Sequence, residues 1–206
     1  MSFVIIGNNT EFSKQHYLMT VTALKNIYQL KITLQDSRPQ ITRKFLVPST
    51  MTLDDLHTVI QIVMGWYDCH MHQFVINGEF YCPVNEDYDW ESKDESQYKV
   101  SHVLKQAKDE IVYEYDFGDG WLHDVVLEKI LPYDNSVTLP ICILGKRACP
   151  PENCGGVWGY KDILKIASNP KHPEYEDMME WLPEGFDPEH FDLEETNEVL
   201  YETFTA

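Results

Sequence analysis

The 206-residue chain reads as an α+β protein. The expected core is a mixed or antiparallel sheet built from hairpins, strand-strand-helix at its start, with several short helices packed around it near the C-terminal end. Three observations predict this class. "YQLKITLQD" alternates apolar and polar residues and is answered by "QITRKFLVP" across the break "SRP", which reads as a hairpin. One amphipathic stretch, "STMTLDDLHTVIQIVMGW", follows directly. Short helical segments punctuated by prolines fill the end of the chain.

Residues 1–27 read as an N-terminal extension, with a short strand expected at 3–6 and a helix from Ser13, and residues 28–206 as a single domain. In the amphipathic stretch, Thr52 is placed to cap the helix and Asp54 and Asp55 sit in its first turn. Apolar side chains at 53, 56, 59, 60 and 63 make its buried stripe, and Gly65 ends it. His57 is expected on its solvated face. "MHQFVINGEFYCP" carries Asn77-Gly78 between apolar runs, the signal of a two-residue hairpin turn. The acidic run 86–95 lacks the ligand spacing and central glycine of an EF-hand and is expected to be a solvated loop. A helical turn over 101–107 and strands at "EIVYEYD" and "WLHDVVLEKI" come next. The last helices are expected at "YKDILKIAS", "PEYEDMMEWL" and "LEETNEVLYETF", with Pro170, Pro173, Pro183 and Pro188 at their starts and stops.

An apolar share of 43% supports a real core. The net charge of −18 is uneven: residues 1–50 hold six basic and two acidic side chains, and the remainder ten and thirty-two. An acidic body repels phosphate, so direct nucleic-acid binding is disfavoured, although Lys31, Arg38, Arg43 and Lys44 make a small basic edge. Five cysteines without regular spacing suit thiols in a reducing cytoplasm. The opening "MSFVIIGNNTEFSK" has a four-residue apolar run and no basic flank before it, so no secretory or transit signal is expected. No membrane segment is expected either.

The densest chemistry lies in "YDFGDGWLHD". If Asp119-Gly120 form a two-residue turn, Asp116 stands opposite His123, with Cβ atoms about 4.5–5.5 Å apart. A four-residue loop sets Glu114 there instead, and a one-residue slip sets Tyr115 there and removes the acid partner. "RACPPENCGGVWGY" adds Cys149 and Cys154, too few thiols for a self-contained zinc ribbon. Either thiol could complete a mixed site with His123 and the period-two pair His70 and His72, or act as a nucleophile with His123 as base. A rigid Pro-Pro loop with ordinary buried thiols is the alternative. The tripeptide "DFG" stands without the other kinase motifs, and no Gly-x-Ser-x-Gly elbow, Walker loop, dinucleotide fingerprint or His-Glu-x-x-His helix occurs.

"TLDDLHTVIQIVMGW", "HMHQFVING", "YEYDFGDGWLHDVVLEKI", "RACPPENCGGVWGY" and "FDPEHFDLEETN" resemble the plasmid pRi open-reading-frame-three-like family, which includes insertion-element passenger proteins, and the resemblance runs from about Tyr28 to Leu200. Met71 and Asn153 stand where that family often has Leu and Asp. The resemblance implies a compact α+β domain and no defined activity. Carried onto this sequence, it marks His70, His72, Asp116, Asp119, His123, Cys149, Glu152 and Cys154.

The leading expectation is a cytoplasmic accessory or binding protein associated with mobile elements. Its ligand, a peptide or small molecule, would lie in a groove walled by Tyr115, Trp121 and Trp158, with Asp119 and Glu152 beside them. One alternative is a metal-dependent hydrolase or nuclease-like enzyme. There, one divalent ion such as zinc is held among His70, His72, Asp116, Asp119, His123, Cys149 and Cys154. The other is an acidic DNA mimic that docks on a basic partner.

Overall fold

The computed structural model describes residues 26–84 and 91–205. The strand at 3–6, the helix from Ser13 and part of the acidic run lie outside them. Among these residues eight strands form one sheet: β1 (Asn26–Leu34), β2 (Thr42–Pro48), β3 (His72–Ile76), β4 (Glu79–Cys82), β5 (Ser92–Asp94), β6 (Glu110–Tyr115), β7 (Trp121–Pro132) and β8 (Ile141–Lys146). Their order is β5-β4-β3-β6-β7-β1-β2-β8, and every pairing is antiparallel except β4 with β5. Helices α1 (Leu53–Met64), α2 (Val100–Val103), α3 (Gly156–Ala167), α4 (Tyr175–Trp181) and α5 (Leu193–Thr205) complete the α+β architecture.

Local chemistry sets the elements that position the site. Thr52 accepts a hydrogen bond from the Asp55 N–H at the start of α1, and Gly65, at φ 98°, ends it by donating to the Gln61 carbonyl. Asn77 and Gly78 both have positive φ, as a type I′ turn requires, so Ile76 pairs with Glu79. The inward faces of β1, β2, β6 and β7 supply Leu30, Ile32, Phe45, Val47, Tyr113, Val125 and Leu127, which form one core with Leu53, Leu56, Val59, Ile60 and Val63 of α1. Removing such side chains from water is the main favourable term, about 1.5–3 kcal/mol for each large one.

The core also holds a cation. Arg43, 1% exposed, donates from Nε to the Val63 carbonyl at 2.6 Å, and from Nη1 to the carbonyls of Thr42 and Lys146 at 3.0 and 2.9 Å. The Phe191 ring covers its guanidinium at 4.1 Å. That ring can lie against β8 because residue 145 is glycine: a Cβ there would stand 2.1 Å from it.

One expectation is corrected here. The described part of the acidic run is not a solvated loop, since Ser92–Asp94 pair with β4 and Glu95 is 1% exposed. Strand β8 arises from "ICILGK", a short apolar run whose pairing with β2 is a long-range contact.

Candidate functional site

One end of α1, the start of β3 and the turn after β5 bring together a buried polar cluster. His57 is buried, contrary to the solvated position expected for it, because the buried face of α1 is wide and takes in His57 and Gln61 beside the apolar stripe. A closed ring of hydrogen bonds follows. The Gln61 amide donates to the Tyr113 hydroxyl at 2.8 Å, which donates to His57 Nδ1 at 2.8 Å. His57 therefore carries its proton on Nε2 and donates it to Asp68 Oδ1 at 2.9 Å, and the Asp68 backbone N–H donates to Gln61 Oε1 at 3.0 Å. Burial pushes the Tyr113 phenol well above its ordinary value and lowers His57, which the adjacent His72 lowers further.

His72 stacks on His57 and places Nε2 2.9 and 3.1 Å from the two oxygens of Glu95. Burial drives the Glu95 carboxyl up to about 8 and the His72 imidazole down to about 4. The pair thus shares one proton across the interval between those values.

Beside this cluster lies a second one. Because His72 pairs with Tyr115, the residues before β3 and after β6 emerge side by side, and the Asp116 N–H donates to the Met71 carbonyl at 2.9 Å. His70 Nε2 then lies 3.6 Å from Asp116 Oδ2 and 3.7 Å from Glu152 Oε2. Glu152 reaches it from the Pro-Pro loop. Its Oε1 is fixed by the Tyr115 hydroxyl at 3.0 Å and the Tyr67 N–H at 3.1 Å. Asp116 Oδ1 is fixed in the same way by the N–H groups of Gly118 and Asp119 at 2.9 and 3.3 Å. Among the described residues, two groups have donor atoms within 4.8 Å of one another: His57, Asp68 and His72, and Cys69, His70 and Glu152.

A recess of about 360 Å3 opens beside both clusters. His57, Asp68, His70 and His72 line it, with Met71 and Phe117 as apolar wall.

Other expected site residues lie elsewhere. The hairpin loop has five residues, so Tyr115 pairs with Trp121 and Tyr113 with His123; Asp116 does not face His123. The cause is Asp116 itself, which adopts φ 54° and leaves the ladder. His123 is 0% exposed, its Nδ1 lies 3.3 Å from the Tyr113 carbonyl, and Trp66 meets its ring edge-on at 5.2 Å. Among the described residues it touches no carboxylate, and burial lowers it to about 4. This removes His123 from any shared site with Asp116.

The groove between Tyr115, Trp121 and Trp158 does not form. Tyr115 and Trp121 are buried around Trp66, whereas Trp158 is 77% exposed on α3 with Lys161 over its ring. Asp119 serves the frame: its Oδ2 accepts from the Gly155 N–H at 3.1 Å. Burial pushes the Cys149 thiol well above its usual range and Cys154 to about 12, which makes poor nucleophiles of both. Their loop supplies Glu152 instead.

Reading the sequence did not find Gln61, Asp68, Cys69, Glu95 or Tyr113. For Asp68 and Cys69 a signal existed, the density of "DCHMH". Glu95 had none, being one acid among many.

The fold and site define an α+β protein with a buried histidine–carboxylate centre opening on a small recess. The family described as plasmid pRiA4b ORF-3-like protein matches residues 26–195, and this chain belongs to it. The chain is 31% identical over 157 residues to the uncharacterized protein y4hQ of Sinorhizobium fredii (strain NBRC 101917 / NGR234), a match covering 76% of this chain and 80% of that one. The crystal structure of MM3350, a protein of unknown function from Methanosarcina mazei Go1, is similar with a TM-score of 0.77 and 40% identity, covering 84% of this chain and 98% of the other. None of the helices among the described residues is long and apolar enough to cross a membrane.

Proposed function

We propose that this protein is a binding protein for a small ligand or peptide end bearing a free ammonium group, received in the recess beside His57 and His72. The observation that carries the reading is the character of the walls. Asp54 and Asp68 are both there, and no lysine or arginine is found among the described lining residues. Burial keeps the imidazoles of His57 and His72 uncharged, so they do not oppose a cation. Met71, Pro83 and Phe117 supply apolar contact for the ligand's body. A volume near 360 Å3 lies within the range of small-ligand sites, about 300–1,000 Å3. Asp68, whose carboxylate is 60% exposed while its Oδ1 holds His57, is the natural partner for the ammonium.

The test is calorimetric titration with alanyl-phenylalanine amide and with its N-acetylated form. Saturable binding of the free amine, none of the acetylated peptide, and loss of binding in Asp68→Asn are expected. Equal behaviour of the two peptides, or an unaffected Asp68→Asn variant, would defeat the reading.

A further inference from the structure

We infer that Cys69, His70 and Glu152 form a binding site for one divalent transition-metal ion of the zinc type, with Asp116, next to the His70 nitrogen, as an additional donor. This inference is independent of the amine reading and rests on how three side chains are held.

Each carboxylate has one oxygen committed and one presented. Asp116 Oδ1 is occupied by the N–H groups of Gly118 and Asp119, and Glu152 Oε1 by the Tyr67 N–H and the Tyr115 hydroxyl. Their other oxygens, Oδ2 and Oε2, both face the same imidazole nitrogen, at 3.6 and 3.7 Å. Those separations are too long for a hydrogen bond from His70 to either acid. Accordingly, His70 Nε2 and Glu152 Oε2 are buried polar atoms without a hydrogen-bond partner. Buried polar atoms are rarely left so, because each costs about 1–3 kcal/mol.

Polar atoms that face one nitrogen without bonding it are what a shared cation requires. An ion about 2.1 Å from each of its donors in tetrahedral array holds them about 3.4 Å apart. The 3.6 and 3.7 Å from His70 Nε2 to the two carboxylate oxygens are a few tenths of an ångström longer. Two carboxylates balance the charge of a divalent ion, and one imidazole nitrogen favours zinc, iron(II) or manganese over calcium or magnesium. The Cys69 sulfur, His70 nitrogen and Glu152 oxygen lie within 4.8 Å of one another, which makes these three the ligand set, with Cys69 on the exposed side. The bonds to Oδ1 and Oε1 are the kind of outer support that fixes ligating carboxylates.

The neighbouring group His57, Asp68 and His72 is the weaker claimant. There, His57 is bonded at both ring nitrogens and His72 Nε2 is bonded to Glu95, so an ion would have to displace existing partners.

The experiment uses full-length protein without a histidine tag. Metal content is measured by plasma emission, and zinc affinity by titration of chelator-stripped protein against a competing zinc dye. Close to one zinc per chain is expected in the wild type. Affinity should fall at least about 100-fold in Glu152→Gln and in Asp116→Asn, beyond what loss of an outer-shell partner produces. Both variants keep the acceptor that holds the loop, and neither residue lines the recess, so both should bind the amine dipeptide like the wild type. Substoichiometric uptake of zinc, manganese and iron(II) by the wild type overturns the inference. So does undiminished uptake in both variants, or a loss confined to Asp68→Asn. Should either variant fail to fold, cobalt(II) added to wild-type protein decides: visible d–d bands abolished by zinc are expected, and their absence counts against the site.

Discussion

His57 and His72 lie face to face, with ring centroids 3.4 Å apart and planes 5° from parallel, although one belongs to a helix and the other to a strand. Two imidazolium ions at that separation would repel by on the order of 5 kcal/mol even with an effective dielectric of about 20. The two rings are therefore not charged together, burial lowers each of them besides, and stability must depend on pH.

Below the ordinary imidazole value of 6.5, an unfolded chain binds protons that native His57 and His123, both lowered, refuse. Stability is thus lost as pH falls through that range. Above 6.5 the sign reverses. The native His72–Glu95 pair keeps its proton up to about 8, while the unfolded chain has already released its own. Thermal denaturation from pH 4 to 9 should show a maximum near 6.5. Each proton's limb should be no steeper than about 1.4 kcal/mol per pH unit. Glu95→Gln should flatten the alkaline limb and steepen the acid one, since His72, still held down by burial, then refuses a proton that the unfolded chain binds; a constant melting temperature from pH 5 to 8 would contradict this account.

The ring of bonds through Tyr113 gives a second expectation. Tyr113→Phe keeps the packing but leaves His57 Nδ1 and the Gln61 amide unpaired in the interior. Urea denaturation should show a loss of about 2 kcal/mol. Tyr175→Phe, on α4 away from this network, serves as the comparison and should change little.

Helix α3 offers a contrast between neighbouring positions. A Cβ at Gly159 would stand 1.8 Å from the Cys154 carbonyl oxygen, backbone that cannot step aside. Gly159→Ala should cost about 3 kcal/mol or more in urea. Trp158→Ala, one residue earlier on the exposed face, should stay within about 0.5 kcal/mol of wild type. Similar losses for both would mean that Trp158 is covered in solution.

How much of this was legible follows from the range of the forces involved. Thr52, Gly65 and Asn77-Gly78 announce their structures because capping and turn chemistry act within a few residues. The late helices are readable for the same reason, their prolines marking the breaks. His57 was not, because a helix's own period does not tell how wide a face the rest of the fold will cover. The pairing of His123 was lost to three residues of register, decided by the positive φ of Asp116 and not by hydrophobic alternation. Of the candidate site, His70, His72, Asp116 and Glu152 were named from the sequence. That Glu152 and Asp116 meet across His70 depends on a loop 36 residues further along the chain, and nothing in local spacing encodes it.

Arg43 has a consequence for how the molecule comes apart. Its guanidinium is satisfied only while the end of α1, strand β8 and the segment carrying Phe191 are all in place. Fraying of any one of them strands a cation in hydrocarbon, so these distant stretches are bound into a single cooperative transition. The C-terminal arm is accordingly no detachable ornament: amide exchange along it should slow and quicken in step with the centre of the sheet.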